Sequence, residues 1–390
     1  MISEVFLAFL KLGLTSFGGP IAHLGYFREE FVEKRKWLDT AAYSDLVALC
    51  QFLPGPSSSQ VGMAIGLMRA GVGGSFAAWL GFTLPSALAL IATGIGIAQI
   101  DMGTHSGLLH GLKLVAAAVI VQAIWAMAKI HCTELRRVAV GLMAAGSSLM
   151  VTSTYNQVAV IVVGGILGIF LFKVNTTFNE PQINIPISRK TGFILLILFL
   201  ALLAGLPLLT STISNYGLDL FAKFFQTGSF VFGGGHVVLP LLQSQVVTNG
   251  WVSNDAFLAG YGLTQAVPGP LFTFAAYIGA VSNQSPSGWI GGAIALAGIF
   301  APSFFMVLGI MPFWNEFRKN TNMQKSMIGI NAAVVGLLLA ALYNPIWTST
   351  VLKLQDLMLI AVYYLALQFW RKPPWMVVIA GALIGTVLPI

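Results

Sequence analysis

Two short runs interrupt otherwise apolar sequence with proline and glycine: Gln51-Phe52-Leu53-Pro54-Gly55-Pro56 and Gln265-Ala266-Val267-Pro268-Gly269-Pro270. Proline has no amide proton and cannot continue the helix before it, while glycine accepts backbone angles that other residues avoid. Each run therefore ends one helix and starts another. The first amides of the new helix have no partner within it, and the aligned peptide dipoles give that end roughly half a positive charge. Such an end accepts an anion without a basic side chain. After the first break the chain reads Ser57-Ser58-Ser59-Gln60, three hydroxyls and an amide within one turn. After the second it reads Leu271-Phe272-Thr273-Phe274, with Thr273 as the only hydroxyl. The first half is expected to supply more of the ligands. Ordinary N-capping explains the serines equally well, because it uses the same donors.

Two glycine runs accompany the proline breaks, Phe17-Gly18-Gly19-Pro20 and Phe232-Gly233-Gly234-Gly235-His236. Gly18, Gly19, Gly233, Gly234 and Gly235 let the backbone approach a ligand closely or form an anion-accepting nest. Close helix packing is the alternative, and it is the role expected of Gly71, Gly73 and Gly74. His236 is either a proton carrier or a plain polar contact. His23, His105, His110 and His131 show no ligand spacing to one another. Asp45 lies in the apolar run leading to the first break, where a carboxylate either couples transport to protons or is held structurally near the interface. Lys11, Lys113 and Arg69 are candidates for positive potential along an anion path. Snorkelling or a simple orientation signal are their alternatives.

The elements that must hold these residues follow from composition. Of 390 residues 57% are hydrophobic and 8% charged, too few charges to cover a soluble fold of this length. Lipid is the solvent implied for most of the surface. Full spans are expected at about 72–99, 106–128, 138–152, 157–172, 191–210, 287–312, 326–343, 356–370 and 374–390, and interrupted ones at 2–20, 41–69, 216–235 and 254–283. The fold class is an all-α polytopic membrane protein. Long continuous apolar runs argue against a barrel, which alternates. The net charge of +7 is scattered among loops, so nucleic acid is not an expected partner. Cys50 and Cys132 form no CxxC pair, and no cofactor or metal is implied. The amino terminus lacks the basic region of a signal peptide.

The motifs recur in order. Gly13 to Gly19 matches Gly228 to Gly234, Trp37 matches Trp251, the proline breaks match each other, and Pro85-Ser86 matches Pro302-Ser303. This predicts two repeats: 1–173, a cytoplasmic linker at 174–190, and 191–390 with its repeat core from about 216. Lys and Arg collect on the cytoplasmic side of membranes. One path places every basic residue inside except Lys11, Lys113, Lys223 and Lys353. On that path 41–69 is re-entrant, the amino terminus is cytoplasmic, the carboxy terminus is periplasmic, and the second repeat is inverted. Inverted repeats with broken helices meeting near the midplane are a transporter architecture.

At these motifs the sequence resembles the chromate ion transporter family in its long, two-domain form. The resemblance rests on Phe17-Gly18-Gly19-Pro20, the basic stretch through Trp37-Leu38, Gln51 to Pro56, Phe232 to His236, and Gln265 to Pro270. It covers nearly the whole chain. It implies export of chromate from the cytoplasm across a bacterial-type inner membrane, with sulfate as a related dianion and protons as the driving ion. Import or exchange of sulfate is the alternative within transport. An intramembrane enzyme acting on lipid phosphates would need a nucleophile beside a base or a metal cluster. No HExxH and no Ser-His-Asp set at plausible spacing is visible. A scaffold would have no use for paired, costly breaks. Association of two copies is left open.

Overall fold

The structure is a computed structural model that describes residues 1–99, 106–151, 154–174 and 186–387. His105, most of the expected linker (175–185) and the last three residues of the expected final span lie outside them. Among the described residues there is no strand. The first half contains α1 (Ile2–Thr15), α2 (Pro20–Arg28), α3 (Thr40–Phe52), α4 (Ser57–Gln99), α5 (Ser106–His131), α6 (Leu135–Met150) and α7 (Thr154–Leu171). Next comes α8 (Arg189–Thr212). The second half contains α9 (Tyr216–Phe230), α10 (Val238–Val246), α11 (Asn254–Thr264), α12 (Phe274–Val281), α13 (Gly288–Ile310), α14 (Trp314–Lys319), α15 (Thr321–Ala341), α16 (Thr348–Thr350), α17 (Leu354–Gln368) and α18 (Pro374–Val387).

Among the described residues, five helical stretches are long and apolar enough to cross a membrane: Ser57–Gln99, Gly107–His131, Arg189–Thr212, Gly288–Lys319 and Thr321–Thr350. Shorter apolar helices accompany them, including α17 and α18. α8 turns Phe199 and Leu206 inward and leaves Phe193, Leu200 and Leu208 exposed, as a helix facing lipid does. The chain is a polytopic membrane protein. α4 is two helices meeting at Ala70-Gly71, where Gly71 has φ +66° and open space around it. Gly71 is therefore a turn residue, not the packing residue expected from composition. Gly74 packs on the carbonyl of Gly66 and Gly73 on Ile2, as expected.

The direction of each repeat can be read from which residues touch. Gly94 of α4 meets Tyr277 and Ala280 of α12, and Ser86 meets Gly269 just before α12, so the second part of α4 runs parallel to α12. Gly141 of α6 meets Ala332 of α15, and Ala145 meets Gly336, so those two helices are parallel. Gly279 near the end of α12 meets Gly291 near the start of α13, so α13 runs back against α12 and opposite to its counterpart in α4. The halves also interlock. α5 packs on α17 and α18, while α15 packs on α6 and α7. Glycine makes these contacts close: a Cβ on Gly111 would collide with the carbonyl of Gly381, and one on Gly329 with that of Gly164. Backbones that approach this far gain dispersion contacts that lipid cannot match, which is how helices associate without a hydrophobic driving force.

Candidate substrate-binding site

Each proline break lies against the other half's glycine run. α3 ends at Phe52, Leu53 is extended, and Gly55 takes φ +118°. Its amide donates to the carbonyl of Val231, beside the second glycine run, at 2.7 Å. Gly269 takes φ +106°, and its amide donates to the carbonyl of Ser16, beside the first glycine run, at 3.0 Å. Each half thus satisfies a backbone group that the other half's break has freed. An unpaired peptide in hydrocarbon costs several kcal/mol, so the crossing is a strong reason for each break to stay against the other half's glycine run. A matching serine sits against each glycine. A Cβ on Gly55 would lie 2.6 Å from Ser303 Oγ, and one on Gly269 would lie 2.8 Å from Ser86 Oγ. The proline-serine pairs matched in the sequence are therefore the seats of the opposite half's break.

A small hollow of about 20 Å³ opens where the second proline break meets the first glycine run. Gly18, Gly19, His236, Thr264, Gln265 and Gly269 line it, with Val267, Leu271 and Pro374. That volume admits roughly one water; a tetrahedral dianion requires the walls to move apart. His236 Nδ1 is 2.6 Å from the Tyr261 hydroxyl, which fixes its ring. Gln265 Nε2 is buried with no partner in the protein. A buried amide left unpaired is expensive, and an acceptor placed in the hollow would relieve it.

Ser57, Ser58, Ser59 and Gln60 stand outside this lining. Ser57 is half-buried, and the other three are buried. Ser58 Oγ lies 3.3 Å from His23 Nδ1. His23 also interacts with the Ser16 backbone. Gln60 Nε2 donates to the Pro54 carbonyl at 2.6 Å, bracing the first break. The oxygens Ser16 Oγ, Ser59 Oγ, Gln60 Oε1 and Thr83 Oγ1 are buried with no partner, so unsatisfied groups continue from the hollow into the first half. Pro54, Gly55 and Pro56 are buried. Thr273 turns its hydroxyl to the Pro270 carbonyl at 2.7 Å. Gly233 faces Asn331, Gly234 approaches Met127, and Gly235 approaches Leu271 and Pro20. Gln51 is exposed, unlike Gln265.

His23, Thr83, Thr264 and Asn331 were not marked by the sequence reading. One signal pointed to His23: both glycine runs, Phe17-Gly18-Gly19 and Phe232-Gly233-Gly234, are followed within a few residues by a histidine.

The charged candidates are paired away from the hollow. Asp45 accepts from Arg318 Nη1 at 3.1 Å and from Trp314 Nε1 at 3.0 Å. Lys11 binds Glu30 at 3.2 Å, Lys113 binds Asp255 at 2.8 Å, and Arg69 binds Glu4 at 3.4 Å while lying over Trp37. The hollow therefore offers neutral donors rather than free cations. Among the described residues no cluster of His, Cys, Asp or Glu could hold a metal.

The profile of the chromate transporter family matches residues 3–169 and 218–386, the same two halves. The chain is 30% identical to a probable chromate transport protein of Synechococcus elongatus, over 85% of this chain and 81% of that one. It is 26% identical to the chromate transport protein of Pseudomonas aeruginosa, over 86% and 79% of the two chains. It is also 26% identical to that of Cupriavidus metallidurans, over 99% and 93%. No solved structure matches. With both repeats covered and the breaks at the heart of each, the chain belongs to the chromate transporter family.

Proposed function

We propose that this protein is a secondary transporter that exports chromate from the cytoplasm, driven by the proton gradient, and that the meeting of the second proline break with the first glycine run is its anion site. The observation that carries the reading is the hydrogen bond from Gly269 to Ser16, which joins the second half's proline break to the first half's glycine run at one polar hollow, with its counterpart from Gly55 to Val231. A dianion held there meets the Gln265 amide and bare peptide groups. Neutral donors suit a carrier, which must release what it binds. The relatives' names supply the substrate class. Sulfate, with the same shape and charge, is the natural competitor.

Proton coupling is assigned to Asp45. Protonation would dissolve its pair with Arg318 and free α3, and with it the first break, from α14. The positive-inside pattern supports a cytoplasmic position for the Asp45 end of α3 and for the amino terminus. No enzymatic step enters this reading. Flux into proteoliposomes, with chromate, sulfate and phosphate compared with and without a pH gradient, tests it. The expected result is chromate movement that follows the imposed pH gradient and is inhibited by sulfate. Chromate impermeability of a folded, reconstituted protein would reject it.

A further inference from the structure

A second cavity, about 420 Å³, opens where the ends of α6, α10 and α15 meet the starts of α7 and α11. Its size lies within the range of small-ligand sites. Its wall carries the amides of Gln157, Gln243, Asn254 and Asn344 and the hydroxyls of Ser148 and Thr248, and none of its described lining residues is charged. The hydrogen bonds show which way the amides face. Gln243 Nε2 donates to Asn254 Oδ1 at 2.9 Å, and Asn254 Nδ2 donates to Ser349 Oγ at 3.0 Å. Gln157 Nε2 donates to the Pro240 carbonyl at 3.3 Å, and its Oε1 accepts from Ser244 at 3.1 Å. The acceptor ends of Gln157 and Asn254 are thus engaged within the protein. Each side-chain amide has two protons, and each of these three has one bond accounted for. The wall offers amide and hydroxyl protons to a ligand that accepts, beside the Gln243 and Asn344 oxygens. The nearest carboxylate in sequence, Asp255, is neutralised by Lys113.

The cavity is tied to the break crossing by three helices. α10 begins just after His236, which lines the small hollow, and reaches the cavity at Gln243. α11 starts at Asn254 in the cavity and leads to Thr264 and Gln265 in the hollow. α15 passes Asn331, beside Gly233, before it reaches Leu337, Ala340 and Ala341 on the cavity wall. At 1.5 Å per residue these stretches span about 10–16 Å. Tyr261, Leu258 and Leu338 on the same helices are buried.

We propose that this cavity is a second oxyanion station, the mouth through which a partly hydrated dianion passes to or from the break crossing. The inference rests on the transport reading above. It adds a site remote from the glycine and proline motifs, built by side-chain amides instead of peptide groups. Its affinity is low because no cation is present, and rapid exchange with solvent follows.

The test places a charge at Thr248, which is exposed at the rim. Thr248→Lys and Thr248→Asp are compared with the unaltered protein in proteoliposomes, with chromate added from one face and then from the other. On the face where the cavity opens, Thr248→Lys should lower the KM for chromate and Thr248→Asp should raise it, each by about five-fold at low salt, with the difference shrinking in high salt. Addition from the other face should leave KM unmoved. Gln243→Leu, which removes a wall donor, should raise KM on the cavity face alone. Misfolding cannot produce shifts of opposite sign. Equal KM for both charge variants, or shifts of one sign in both, would overturn the second station while leaving the transport reading standing. Absence of chromate flux in the unaltered protein would instead remove the transport reading itself.

Discussion

Arg318 in the second half holds Asp45 in the first at 3.1 Å, and both side chains are nearly closed off from solvent. Trp314 Nε1 completes the carboxylate's shell, and its ring packs edge-on to Phe52, the last residue of α3. The pair ties the helix entering the first break to the other half. Burial makes it costly to break from one side, since removing one partner strands the other charge at about 3–5 kcal/mol.

Arg318→Met and Asp45→Asn should therefore each lower thermal stability in detergent, because each leaves the other group buried without its partner. The double variant should recover part of the loss, as coupled neighbours do. Strictly additive losses in melting temperature would show that the two side chains do not act as a pair.

Asp45→Asn should also remove pH-driven chromate uptake into inverted vesicles while leaving downhill exchange measurable. A pH response equal to that of the unaltered protein would reject Asp45 as the coupling group.

Gly55→Ala and Gly269→Ala should each cost about 2 kcal/mol or more and abolish flux, because both positions combine positive φ with a serine oxygen under 3 Å from the new Cβ. Gly71→Ala is the internal comparison. It has positive φ but open space, so its cost should be about 1 kcal/mol and much of the flux should remain. Melting temperatures of the three variants decide; a Gly71 loss equal to the Gly55 loss would show that the serine seats are unimportant.

Much of this arrangement was legible in the chain because proline and glycine act locally. The four interruptions, the order of the repeats and the inversion follow from residue types and from the distribution of Lys and Arg. What escaped depends on distant contacts. Nothing near Asp45 announces Arg318, and Gln51 and Gln265 hold equivalent places although one is exposed and the other lines the hollow. Gly71 and Gly74 look alike in sequence, yet one makes a turn and the other a helix contact. The exchange of partners between α5 and α15 is equally silent, because small residues that pack against one apolar helix pack against any other.

The unequal glutamines give a direct comparison. Gln265→Leu should weaken chromate or sulfate binding by roughly ten-fold or more, the value of one hydrogen bond to a charged group. Gln51→Leu should change it little. Binding measured by ligand-induced thermal shift separates the two, and equal effects would move the anion away from the hollow.

The serines after the first break separate in the same way. Ser58→Ala should destabilise the fold by leaving His23 without its Nδ1 partner. Ser59→Ala removes an oxygen that has no partner in the protein, so stability should hold while anion affinity falls. Parallel losses of expression and affinity in both would assign these serines to helix capping alone.

An anion site shared between the first half's glycine run and the second half's proline break can be reported by chromium itself. Anomalous scattering from crystals grown with chromate should show its strongest peak between Gly18-Gly19 and Gln265-Gly269, with the walls of the hollow moved apart. A strongest peak elsewhere, or none at saturating chromate, would contradict the account.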